Sequence, residues 1–95
     1  MKKLQRLLES VTMLEKVKTS KNQICYMVDY GKYKGSYISI NVFDYYGLGK
    51  KEYIINYGMI ENNERIIFEF KNIAADGSQV AEKIIKQALQ DLKLC

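Results

Sequence analysis

The sequence predicts an α+β fold, a four-stranded antiparallel β-meander with an N-terminal and a C-terminal helix packed on one face of the sheet. Two patterns carry that reading. Between Gln23 and Lys71 the apolar residues alternate with period two, in four runs separated by short turns rich in Gly and Asn. One-sided burial of an antiparallel sheet produces that pattern. At the two ends of the chain the apolar residues return at helical spacing instead.

From Lys2 to about Val17, residues Leu4, Leu7, Leu8, Val11, Leu14 and Val17 form one apolar stripe, which predicts the first helix. Lys18 to Asn22 breaks the period and reads as a loop. The first strand is expected over Gln23–Tyr30, with Ile24, Tyr26, Val28 and Tyr30 on one side. Gly31–Gly35 is read as a turn that uses positive φ. Ser36–Asp44 then sets Ile38, Ile40 and Val42 against Tyr37, Ser39, Asn41 and Phe43. Gly47 and Gly49 punctuate the next turn. Glu52–Ile60 sets Tyr53, Ile55, Tyr57 and Met59 against Ile54, Asn56 and Gly58. Glu61-Asn62-Asn63-Glu64 is a polar reverse turn, and Arg65–Lys71 carries Ile66, Phe68 and Phe70 on its expected core side. Asp76 or Ser78 is positioned to cap a final helix whose stripe is Val80, Ala81, Ile84, Ile85, Ala88, Leu89 and Leu92.

The chain has 95 residues, enough for one domain spanning 1–95 and one core. Its 47% hydrophobic and 27% charged content suits a globular protein, and no stretch has the length of a membrane span. Cys25 and Cys95 do not resemble a disulfide framework, and Met1-Lys2-Lys3-Leu4 is followed by charges that interrupt any signal-peptide core. The expectation is a cytoplasmic protein with no membrane partner. The lysine, isoleucine, asparagine and tyrosine usage resembles coding from an AT-rich genome, which would suit a phage or mobile-element protein.

Histidine is absent, and with it the commonest general base and metal ligand. Neither cysteine nor any serine has a histidine partner to activate it. Gly47-Leu48-Gly49-Lys50-Lys51 lacks the spacing of a phosphate loop and joins two strands instead of opening a helix. The expectation is therefore no enzyme, no metal and no cofactor.

Two surfaces then compete as the working site. The sheet face opposite the helices would carry Tyr37, Asn41, Phe43 and Ile54, more apolar than a face turned to water usually is. These four are the candidate contacts for a protein partner or a second copy of the chain. The expected function is a small protein-binding module, an inhibitor or adaptor that occupies a partner's surface. The alternative uses Lys18, Lys21, Lys50, Lys51 and Lys71, gathered at one end of a meander, with Tyr45 or Tyr46 stacking on bases. Lysine in place of arginine would make such nucleic-acid contact weakly sequence-specific. The helix–strands–helix order resembles that of double-stranded RNA-binding domains. The last helix, however, opens Gly77-Ser78-Gln79-Val80-Ala81-Glu82-Lys83, without that family's lysine cluster, and no membership follows.

Overall fold

The computed structural model describes residues 2–44 and 51–94. Its elements, in chain order, are α1 (Lys2–Glu9), β1 (Leu14–Thr19), β2 (Gln23–Val28), β3 (Tyr37–Asp44), β4 (Lys51–Glu61), β5 (Arg65–Asp76) and α2 (Ser78–Asp91). All strands pair antiparallel in sequential order, forming one five-stranded sheet. The α+β class and the meander agree with the sequence; the strand number does not.

The extra strand comes from the region assigned to the first helix. That helix stops at Glu9, where the Ser10 hydroxyl donates to the Leu7 carbonyl at 2.6 Å and the Val11 amide turns back to the Leu8 carbonyl at 3.1 Å. The β-branched pair Val11-Thr12 then leaves helical geometry, and Leu14–Thr19 adds to β2. A bulge between Lys16 and Lys18 interrupts the two-residue period of β1. Leu14 and Val17 stand three apart in the chain, a spacing that in sequence reads as helical.

The last strand is also longer than the alternation suggested, running on to Asp76 through two bulges. At the second bulge Asn72 takes a φ of 58°, a left-handed conformation that Asn tolerates, and its amide donates to the Asn56 side-chain carbonyl. The first bulge turns Ile66 to the side opposite the expected core. The β4–β5 hairpin closes as read, with Asn62 and Asn63 both at positive φ and the Glu64 amide donating to the Glu61 carbonyl at 3.1 Å.

One core lies between the sheet and the two helices. Leu4 and Leu8 of α1, with Ala81, Ile85, Ala88 and Leu89 of α2, pack on Ile24, Tyr26, Ile38, Ile40, Tyr53, Ile55 and Tyr57. Two core tyrosines bind the helix ends to the sheet. The Tyr26 hydroxyl donates to Glu9 and the Tyr57 hydroxyl to Asp91, each at 2.7 Å. Burial, reinforced by those carboxylates, pushes both phenols up to about 12. The α2 N-cap is Gly77, at a φ of 97°, and neither Asp76 nor Ser78 supplies a capping side chain.

Tyr30, expected in the core, is exposed, as are Ile66 and Phe70; Phe68 is half-buried. Among the described residues no helix is long and apolar enough to cross a membrane.

Candidate functional site

The sheet face turned away from the helices is set by strand register. Its cross-strand rows run Met27–Tyr37–Gly58–Glu69, then Cys25–Ser39–Asn56, then Gln23–Asn41–Ile54–Ala74, then Phe43–Glu52–Asp76. All four residues proposed for protein contact therefore share this face. Asn41 and Ile54 are direct neighbours and half-buried, Phe43 stands one row away and is 46% exposed, and Tyr37 lies two rows away.

Tyr37 lies flat across Gly58 and reaches the strand beyond it. Its hydroxyl donates to Glu69 Oε2 at 2.7 Å. A Cβ at Gly58 would stand 2.9 Å from Tyr37 Cε1, so only glycine leaves room for the ring. Burial, with the hydrogen bond to Glu69 second, pushes the Tyr37 phenol up to about 12. Tyr37 thus forms part of a rigid floor and presents the flat of its ring.

Met27, on this face as its alternation with Tyr26 and Val28 implies, is 38% exposed. Sequence alternation misses two further members, Ile66, which is 58% exposed, and Ile60, which is half-buried. Ile66 was assigned to the core because alternation assumes a regular strand; the doublet Ile66-Ile67 is the one mark of the bulge in the sequence. Cys25 also sits here, half-buried, and desolvation pushes its thiol up, away from the reactive thiolate. Among the described residues no group of three or more His, Cys, Asp or Glu is placed to hold a metal.

The lysines proposed for nucleic acid do not all meet. Lys18, Lys21 and Lys51 lie at one end of the sheet, but Asp44, Glu52 and Asp76 share it, Asp44 directly opposite Lys51. Lys21, Asn22, Val42, Phe43, Asp44 and Lys51 line a shallow cleft of about 530 Å³ there. Lys71 sits in mid-strand, 3.9 Å from Glu69, because β5 continues five residues beyond it. Tyr45, Tyr46 and Lys50 lie outside the described residues. The cationic excess is concentrated elsewhere. The helical segments at the two chain ends carry Lys2, Lys3, Arg6, Lys83, Lys86 and Lys93 against Glu9, Glu82 and Asp91. Glu82 pairs with both Lys3 and Lys86, at 3.2 and 3.3 Å.

Comparison with protein-family models, curated proteins and solved structures gives no match to this chain.

Proposed function

We propose that this chain is a small non-enzymatic protein-binding module, of the inhibitor or adaptor kind, that lays its uncovered sheet face on a partner's surface. One observation carries the reading. The face opposite the helices presents Met27, Phe43 and Ile66 at 38%, 46% and 58% exposure around a floor of Tyr37, Ile54 and Ile60. An antiparallel sheet with one face in water normally alternates to polar residues there; large apolar side chains set among Ser39, Asn41 and Asn56 instead give this face the mixed composition of an interaction surface. The hydrogen bond from Tyr37 to Glu69 makes the floor rigid, so little ordering is left to oppose binding.

The test is affinity capture with the native chain and with Met27→Asp and Phe43→Asp, after circular dichroism has shown each variant folded. The reading expects specific partners to be lost from both. Partners retained undiminished by both variants would sink it.

A second reading, weakly specific nucleic-acid binding, draws on the cleft in which Lys21, Lys51 and Phe43 meet. The acids at the same end of the sheet weigh against it. Its test is binding to labelled single- and double-stranded DNA and RNA over a salt series. The reading needs affinity that falls steeply with salt and is lost in Lys21→Glu with Lys51→Glu.

A further inference from the structure

We propose that the outer edge of β5 seats the same edge of a second copy of this chain, antiparallel, with Phe70 opposite the partner's Phe70. This goes beyond the proposed function and uses the edge of the sheet, which shares Ile66 and Glu69 with the open face. The sheet has two edges, β1 and β5. β1 is six residues long and carries Glu15, Lys16 and Lys18, two features that discourage strand addition. β5 is twelve residues long and exposes Ile66, Ile67 and Phe70 by 58%, 39% and 46%. An edge of that length and apolarity is a template for another strand.

Charge selects the occupant and the register. The two bulges divide β5 into short regular stretches, and the central one is Phe68, Glu69 and Phe70, with Lys71 following. Glu69 and Lys71 lie on one face of the strand, 3.9 Å apart, and Tyr37 holds Glu69 in place. A two-fold axis through Phe70 sets each Glu69 opposite the partner's Lys71, giving two cross-strand ion pairs. Centring the axis on Glu69 would oppose two carboxylates, and centring it on Lys71 would oppose two ammonium groups. The stretch is therefore self-complementary in the register that centres on Phe70.

Packing agrees with that register. Phe68, Phe70, Gln90, Asp91 and Lys93 line a niche of about 480 Å³ on the helix side of the edge. The rings of Tyr57, Phe68 and Phe70 already cluster there, with centroids 5.1 to 6.3 Å apart. The partner's Phe70 would join this cluster at the mouth of the niche. The pairing closes on itself, because both outer edges of the resulting sheet are the short, charged β1.

Sedimentation equilibrium over a range of protein concentrations tests the proposal, with the fold of each variant checked by circular dichroism. The native chain should dimerise, and Phe70→Asp should be monomeric. Lys71→Glu or Glu69→Lys should each weaken the dimer roughly tenfold, because every substitution acts twice across the axis. The double exchange Glu69→Lys with Lys71→Glu should restore it. A native chain monomeric at several hundred micromolar would overturn the proposal. So would a dimer indifferent to Phe70→Asp, or a folded double exchange no tighter than the single variants.

Discussion

Gly58 is the position at which the open face can be perturbed with the least chemistry, since Gly58→Ala adds one carbon. In an ordinary strand that change gains about 0.5–1 kcal/mol, because glycine loses the most backbone freedom on folding. Here the new Cβ stands 2.9 Å from Tyr37 Cε1, 3.1 Å from Glu69 Cγ and 3.1 Å from the Phe68 carbonyl oxygen. Two of these neighbours are the partners of one hydrogen bond, and the third is backbone that cannot withdraw. Overpacking of this kind costs about 1–3 kcal/mol. Separating Tyr37 from Glu69 removes a charge-assisted bond worth about 1 kcal/mol at a half-exposed site. The net expectation is a loss of about 2 kcal/mol, or a fall of about 8–16 °C in Tm for a domain of this length. Urea denaturation measures the first quantity. Tyrosinate absorbance gives an independent readout, since one phenol titrating at about 12 should return towards its ordinary range when the ring is displaced. Tyr37→Phe removes the hydrogen bond without the clash and should cost only about 1 kcal/mol. A Gly58→Ala protein as stable as the native one, with its high-pH phenols unchanged, would refute the account of Tyr37 as a fixed floor.

Other perturbations follow from the same geometry. The β3–β4 pairing ends at Tyr37 opposite Gly58, and the buried Ser36 hydroxyl takes over, accepting from the Ile60 amide at 2.8 Å and donating to the Ile60 carbonyl at 3.1 Å. Ser36→Ala leaves both backbone groups unpaired and should cost about 2–4 kcal/mol in urea denaturation. The Tyr26 and Tyr57 phenols are raised to about 12 in the folded chain, so the unfolded chain ionises first. Their contribution is complete below pH ~10 and is lost as pH rises from there towards ~12, on the order of 2 kcal/mol each. Circular dichroism across that range should show an alkaline transition that Tyr26→Phe or Tyr57→Phe flattens. Glu15 is raised from its ordinary value by its hydrogen bond and charge repulsion with Asp29. A raised acid favours the folded state while protonated, so this pair's contribution declines as pH rises through the Glu15 value. Asp29→Asn should remove that decline, which Tm at pH 4.5 and pH 7, compared with the native chain, would reveal.

Where the chain obeys a single period, the sequence predicts the structure. β2, β3 and β4 alternate without a break before Met59, and their inward residues Ile24, Tyr26, Ile38, Ile40, Tyr53, Ile55 and Tyr57 are the core. α2 was legible for the same reason, and the Asn62-Asn63 turn because few residues other than glycine accept two successive positive φ values. Misreadings cluster at bulges. The extra residue near Val17 leaves β1 without the alternation that would mark it as a strand, and another near Ile67 moves Ile66 from the core to the open face. A bulge depends on how two strands fit, which a one-dimensional period does not contain. The lysines differ for another reason: β5 continues past Lys71, and its end brings Asp76 to the place where the alternation puts the lysine.

The open face and the β5 edge bear on each other through area. Strands of 6, 6, 8, 11 and 12 residues, about 4.8 Å apart and rising ~3.4 Å per residue, give a five-stranded face of roughly 700 Å² in projection. Stable protein interfaces usually take about 800 Å² from each side. One copy of the face falls a little short of that, and two copies joined edge to edge would offer about 1,400 Å² on one continuous surface. The two-fold axis of the proposed dimer runs perpendicular to the sheet, so both open faces look the same way. A partner that is itself dimeric, or long enough to span both copies, gains an effective-concentration advantage from that arrangement, and a small monomeric one does not. Lys71→Glu lies outside the proposed partner-contact residues. It should weaken capture of a spanning partner while leaving the affinity of a small one unchanged, whereas Phe43→Asp should weaken both. Surface plasmon resonance, with the partner immobilised at high and at low density, separates the two cases. Equal loss for Lys71→Glu at both densities would show that Lys71 contacts the partner directly and would break the link between the edge and the face.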